Sequence, residues 1–114
     1  ANVLDCEVTS LDAGQAQVVI GRETYVLDTK RSEIGTARIA VRSNAVRLAP
    51  PAESRMQATV KSAAYLGDKM EYILQHKDTE IFATSSNTEQ TFTSGAEVSV
   101  KFDTVGLALI GARA

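Results

Sequence analysis

At 114 residues the chain has the length of a single domain, and 44% hydrophobic residues are enough to form a core. Its 12 Lys and Arg residues nearly balance 14 Asp and Glu residues and are scattered along the sequence, which disfavours nucleic acid or an anionic lipid surface as a partner. The single cysteine, Cys6, excludes an internal disulfide and a Cys-rich zinc site. No apolar run approaches the ~18 residues of a membrane-spanning helix, so we expect no direct membrane insertion.

Alternation of apolar and polar residues, the pattern of a half-buried strand, recurs along the chain. The alternating runs are residues 4–9, 38–42, 56–61 and 97–102. Short turn signals separate further apolar segments and lie at residues 12–15, 21–23 and 76–78. Helical spacing is weak, and the best helix candidate is a single turn at residues 62–65. These patterns predict an all-β chain.

Two stretches interrupt the strand pattern. Residues 50–55 contain Pro50-Pro51, which remove backbone donors, and are predicted to be a linker. Residues 84–95 are rich in Ser and Thr and are predicted to be a long exposed loop. Phe92 is an aromatic residue inside that polar loop. It either anchors the loop to the rest of the domain or contacts a partner.

The linker divides the chain into similar half-repeats, at about residues 1–49 and 56–110. Residues 37–49 can be placed without gaps on residues 96–108. A sheet of this size cannot cover its own apolar face, so the two halves are expected to pack together. The prediction is one domain with an OB-like β-barrel built from two similar strand-rich halves.

Residues that carry chemistry are few. The phosphate-binding loop of ATPases is absent from the sequence, so ATP hydrolysis is not expected in this chain. Cys6 shares an apolar face and is predicted to be a buried hydrophobe, while His76 is predicted to be a solvated turn residue. Tyr72 and Phe82 lie in apolar strand contexts and are predicted to pack in the core. We therefore expect no catalytic, cofactor or metal site.

Three segments resemble a known family. They are residues 2–8 (NVLDCEV), 60–72 (VKSAAYLGDKMEY) and 95–103 (GAEVSVKFD). They are similar to the TOBE domain that follows the ATPase domain in many bacterial ABC importers. The Tyr-Leu-Gly-Asp and Glu-Tyr pieces look most like importers of ferric iron, polyamines or related solutes. One departure is that Ser43-Asn44 stand where the family has Pro-Glu.

The resemblance implies a TOBE/MOP-like regulatory domain at the C-terminal end of an ATP-binding subunit. Such a domain helps to hold the ATPase dimer. The implied partners are its own ATPase domain, a second copy and, through the parent, membrane permease subunits. ATP and Mg²⁺ would bind the upstream domain of the parent rather than this chain, which begins at Ala1 and is expected to be a fragment. The implied location is cytoplasmic, peripheral to the inner membrane.

The segment Tyr65-Leu66-Gly67-Asp68 is either a strand connection, in which Gly67 supplies a positive φ, or a contact or ligand surface. With Arg42 and Phe92 it forms the candidate interface or ligand surface of this chain. An alternative function is a small-oxyanion module similar to molybdate-binding barrels, which hold anions at subunit seams. A nucleic-acid OB-fold is disfavoured by the sequence pI of about 5.4.

Overall fold

The computed structural model describes residues 2–52 and 55–110, and these residues form ten strands and two short 3-10 turns. The first five strands are β1 (Asn2–Asp12), β2 (Gln15–Ile20), β3 (Glu23–Asp28), β4 (Gly35–Val41) and β5 (Val46–Ala49). The next five are β6 (Met56–Tyr65), β7 (Met70–His76), β8 (Thr79–Ser85), β9 (Glu97–Phe102) and β10 (Leu107–Leu109). The 3-10 turns are η1 (Ser43–Ala45) before β5 and η2 (Thr104–Gly106) before β10. The predicted all-β fold is confirmed.

Helices long enough to cross a bilayer do not occur among residues 2–52 and 55–110. The predicted helical turn at residues 62–65 is wrong, because those residues continue β6.

The predicted linker at 50–55 includes residues 53–54, and the predicted half-repeat at 1–49 begins with Ala1. These three residues lie outside the described part of the chain, and the half-repeat boundaries remain a prediction.

Two antiparallel five-stranded sheets make up the domain. Their strand orders are β10-β4-β1-β2-β3 and β5-β9-β6-β7-β8. Strands β1 to β4 therefore lie in one sheet while β5 pairs in the other, and β10 makes the reciprocal exchange. Each sheet curls so that its outer strand approaches a 3-10 turn, β3 beside η2 and β8 beside η1. The OB-like barrel prediction agrees with these two half-barrels.

The two exchanged segments are held by equivalent hydrogen bonds. The Arg42 N–H donates to the carbonyl of Gly106 at 3.0 Å, and the Asp103 N–H donates to the carbonyl of Ala45 at 2.8 Å. Arg42 therefore corresponds to Asp103, and Ala45 corresponds to Gly106. These pairs relate the two halves by an approximate two-fold axis that passes near the two 3-10 turns.

This correspondence corrects the register of the repeat. Val41 pairs with Leu107 and Phe102 pairs with Val46, so Val41 corresponds to Phe102. The ungapped match of residues 37–49 with 96–108 would instead equate Val41 with Val100, and is wrong by two residues. Because side chains alternate between the two faces of a strand, a two-residue shift leaves the apolar pattern unchanged.

The core is aliphatic, as the scarcity of aromatic residues requires. The largest fully buried side chains are all branched and aliphatic: Ile20, Ile39, Leu74, Ile81, Val8, Val18, Val41, Val46, Val60, Val98 and Val100. Burying each contributes about 1.5–3 kcal/mol relative to exposure. One aromatic pair joins the two sheets, with the rings of Tyr25 and Phe102 centred 5.8 Å apart. The Phe102 N–H donates to the Tyr25 hydroxyl at 3.1 Å, so the buried phenol has a partner.

Of the single-residue predictions, those for Phe82 and His76 fail, and those for Cys6 and Tyr72 hold, since Tyr72 is buried in the core. Phe82 is 51% exposed rather than buried, because Ile81 and Ala83 occupy the inward positions of β8. His76 ends β7 and is half-buried, with Nδ1 2.7 Å from the carbonyl oxygen of Gln57, so it is not a solvated turn residue. Cys6 is buried, as predicted.

Candidate interface and ligand-binding surface

The β6–β7 hairpin is longer than its counterpart in the first half. In the β1–β2 hairpin the last pair is Asp12–Gln15, which leaves a two-residue turn. Both leading strands carry a bulge at the same place, so this pair corresponds to Ala64–Glu71. The second hairpin adds the pair Tyr65–Met70 and ends in a tip at residues 66–69. It is therefore longer than the first hairpin by one strand pair and two turn residues.

The tip is well ordered by local contacts. Gly67 has φ +98, as the sequence predicted, and an added Cβ would have nothing within 4 Å, so backbone conformation rather than space requires glycine there. The Tyr65 hydroxyl donates to the carbonyl of Gly67 at 2.5 Å, and the Leu66 N–H donates to that of Lys69 at 2.8 Å. Tyr65 and Leu66 are nevertheless 64% and 49% exposed. The tip thus presents apolar surface in a fixed shape.

A groove of about 730 Å³ lies beside the tip, between η1, β5 and the end of β8. We call it the basic groove, and its lining residues are all polar or positively charged: Arg42, Ser43, Asn44, Arg47, Lys69, Thr84, Ser85 and Ser86. Three of them are cationic, and none of the described lining residues carries a carboxylate. Of the residues that the sequence grouped as a candidate surface, Arg42 lines this groove, whereas residues 65–68 and Phe92 do not.

Arg47 is the cation whose position is most constrained. One of its terminal nitrogens donates to the carbonyl of Asn44 at 2.6 Å, and the other forms an ion pair with Asp103 at 3.1 Å. Arg42 and Lys69 form no ion pair with any residue that the structure describes. The groove therefore has one fixed cation and two that are open to a ligand.

Phe92 lies apart from the groove and is half-buried against the core. Its ring centre is 6.5 Å from that of Tyr72, and its N–H donates to the Tyr72 hydroxyl at 3.3 Å. These contacts fit the first alternative, in which Phe92 anchors the polar loop. A contact between Phe92 and a partner remains a prediction.

The two side chains with a raised pKa, Cys6 and Tyr25, do not line the groove. Burial raises the pKa of the Cys6 thiol; Arg31 opposes this rise, while Asp5 and Glu7 add smaller increases, so the thiol stays protonated at neutral pH. Burial likewise raises the pKa of the Tyr25 phenol. No cluster of three or more His, Cys, Asp or Glu side chains suited to a metal occurs in the described part of the chain.

Comparison with known proteins identifies the family of this chain. The sequence profile of the TOBE domain matches residues 39–109. The chain belongs to the TOBE domain family. The match spans the basic groove and the extended hairpin of this TOBE domain, and it confirms the resemblance found in the sequence. Asn44 contributes a neutral amide to the wall of the groove.

The relatives of this TOBE domain are longer proteins. The Fe(3+) ions import ATP-binding protein FbpC of Brucella abortus is 36% identical over 110 residues, which are 96% of this chain and 31% of the relative. FbpC 1 of Rhizobium meliloti is 31% identical over the same shares of both chains. FbpC of Rhizobium etli is 27% identical over 98% of this chain and 32% of its own length. The chain thus spans about a third of these relatives.

Several residues of the groove escaped the sequence analysis. Arg47, Lys69 and Ser85 are far apart along the chain, and the sequence analysis singled out none of them. The strand order brings them together, because β5 and the end of β8 meet beside η1. The available signal was the pair Arg42 and Arg47 on either side of Ser43-Asn44, but basic residues scattered elsewhere in the sequence made this pair inconspicuous.

Proposed function

We propose that this TOBE domain is the C-terminal regulatory and dimer-stabilising domain of the ATP-binding subunit of a bacterial ferric iron importer. The supporting observation is identity of 36% with an iron-import ATP-binding protein across 96% of this chain. The sequence resemblance also implies polyamines and similar solutes as cargoes. The chain itself would perform no catalysis.

In the parent protein, ATP and Mg²⁺ would bind an upstream ATPase domain, and the parent would hydrolyse ATP. The TOBE domain would contact that ATPase domain and a second copy of the parent. The pair of subunits would engage membrane permease subunits at the cytoplasmic side of the inner membrane. The exposed side chains of Tyr65 and Leu66 provide apolar surface for the contact between the two copies of the parent, since exposed apolar groups are typical of protein interfaces.

The test uses the full-length parent. Tyr65→Ser with Leu66→Ser is expected to weaken self-association at least tenfold in sedimentation equilibrium and to lower ferric iron uptake by cells that rely on this importer. The control is Val26→Ser, which alters a similarly exposed apolar residue, 48% accessible, on the distant strand β3. Unchanged association and uptake in the tip variant would argue against the tip as the interface. Normal iron uptake after removal of the whole parent would refute the importer assignment.

A further inference from the structure

We propose that a cleft on the outer face of β6, β7 and β8 binds a small organic cation, in which a single ammonium or amidinium group is joined to a compact apolar body. The cleft has a volume of about 300 Å³, at the lower end of the range for small-molecule sites. We call it the outer cleft, and six of its lining residues point outward from these strands: Ser62, Ala64, Glu71, Ile73, Phe82 and Thr84. The site does not depend on the importer assignment.

Strand pairing places these six side chains in two adjacent rows across the sheet. The first row is Ser62, Ile73 and Phe82, and the second row is Ala64, Glu71 and Thr84. Residues directly opposite each other on antiparallel strands share a face, with their Cβ atoms about 5 Å apart. One ligand in the cleft can therefore contact side chains from both rows.

Apolar side chains form part of the cleft. Phe82 is 51% exposed, and Ile73 beside it is half-buried. The other neighbours of Ile73 include the small residues Ser62 and Ala64, which leave space above it. The face of an antiparallel sheet that meets water is normally polar, so this group of apolar side chains is unusual. The half-exposed ring of Phe82 also offers a π face, which attracts a cation.

Glu71 gives the cleft a negative charge. It is the one charged side chain among the described lining residues, and it forms no ion pair within residues 2–52 and 55–110. Lys61 of β6 is paired with Glu80 instead. The basic groove shares Ser43 and Thr84 with the outer cleft, but none of its three cations lines the cleft. A carboxylate beside apolar groups suits a cation that also has an apolar part.

The equivalent face of the first half shows that this character is not a by-product of the fold. The pair Ser62–Ile73 corresponds to Ser10–Gln17, and Ala64–Glu71 corresponds to Asp12–Gln15. Polar side chains, Gln17 and Asp12, thus stand at the positions of Ile73 and Ala64, and both are exposed.

The position of Phe82 is taken by Val26 in the first half, because Val26 pairs with Gln17 as Phe82 pairs with Ile73. The aromatic ring, the isoleucine and the small alanine are therefore features of the second half alone among the described strands. The same pleated surface tolerates polar residues in one half and gathers apolar side chains around a carboxylate in the other. The first half supplies matched control positions for an experiment.

The test is a titration of the isotope-labelled chain followed by two-dimensional NMR of its backbone amides. The probe is benzamidine, compared with benzoate, which has the same ring and the opposite charge, and with methylammonium, which has the charge without the ring. The test variant is Glu71→Gln with Phe82→Ser. The matched control is Asp12→Asn with Val26→Ser, which makes the same kinds of change on the equivalent face. Circular dichroism melting curves establish that both variants are folded.

We expect benzamidine to bind more tightly than benzoate or methylammonium and to shift the amide signals of residues 62–64, 71–73 and 82–84. The test variant is expected to lose about tenfold in affinity, about threefold from the carboxylate and about threefold from the ring, as is typical of partly exposed ion pairs and cation–π contacts. The control variant is expected to bind as the unaltered chain does. Absence of shifts at millimolar benzamidine, shifts confined to other residues, equal binding of either comparison compound, or equal loss in both variants would overturn the proposal.

Discussion

Asn2 and Phe82 are joined by two hydrogen bonds between a side-chain amide and a backbone. The Phe82 N–H donates to Asn2 Oδ1 at 2.7 Å, and Asn2 Nδ2 donates to the Phe82 carbonyl at 2.9 Å. The same nitrogen is 3.2 Å from the carbonyl of Val41. Because β8 is an outer strand of its sheet, the Asn2 amide pairs backbone groups that would otherwise lack a strand partner. It also links the two sheets.

Replacing Asn2 by alanine is expected to lower the free energy of unfolding by about 1–3 kcal/mol, because a part-buried backbone N–H and C=O would lose their partner. Urea denaturation followed by circular dichroism measures the change. Gln17→Ala, at an exposed position of β2, is the control and is expected to change stability by less than about 0.5 kcal/mol. Equal stability of the two variants would show that the amide is not structural.

Gly106→Ala is expected to destabilise the domain by about 1–3 kcal/mol, because the new Cβ would lie 2.3 Å from the Cβ of Ala45. These two residues correspond to each other across the approximate two-fold axis, and there is room for one methyl group between them. Adding Ala45→Gly to Gly106→Ala is therefore expected to restore most of the lost stability. Thermal melting of both variants checks this, and a double variant no more stable than Gly106→Ala would contradict it.

Phe92→Ala is expected to loosen the loop at residues 86–96 and to cost about 1–3 kcal/mol, since the ring packs on Tyr72 and closes the loop over the core. Hydrogen exchange measured by mass spectrometry should show faster exchange in that loop. Phe82→Ala removes an aromatic ring that is 51% exposed and serves as the control, with a smaller effect expected. If hydrogen exchange in the loop of Phe92→Ala is unaltered, Phe92 does not anchor the loop.

The stability of the domain is expected to fall as the pH rises above about 9. Burial raises the pKa of Cys6 above its ordinary value of 9.0 and that of Tyr25 above 10.0. In this range the unfolded chain loses these protons before the folded chain does, so deprotonation favours unfolding.

Cys6→Ala should make the loss of stability between pH 8 and 10 less steep, as measured by urea midpoints, a range set by the ordinary thiol pKa of 9.0. Thr24→Ala, at an exposed position of β3, is a control without a titrating group. An identical pH profile for Cys6→Ala and the unaltered chain would show that the thiol does not contribute.

The sequence predicted strands well because burial imposes a period of two on them. Leu4, Cys6 and Val8 alternate with charged and polar residues, and each is buried in β1. The same period hid the register of the repeat, since a shift of two residues preserves every face. It also misplaced Phe82, because β8 has apolar residues at Ile81, Phe82 and Ala83 in succession and alternation alone cannot say which face meets the core.

The candidate site was predictable only in part. The turn glycine of the Tyr65–Asp68 segment was recognisable because an isolated glycine beside Asp is typical of a tight connection. The basic groove was not, because the β7–β8 pair Met70–Ser85 places Lys69 near Ser85, whereas Arg42 reaches them only through the contact of η1 and β5 with β8. Local patterns carry no information about such pairings.

Because β5 and β10 are exchanged between the sheets, β4 is synthesised well before the strand that pairs with its outer edge. While the chain is being made, β1 to β4 emerge long before residues 107–109, which pair with β4. The outer side of β4 must therefore wait, unpaired, for almost the last described residues to leave the ribosome. A nascent chain stalled at about residue 100 would present that open edge to its neighbours, and the domain reaches its closed form only when the final strand arrives.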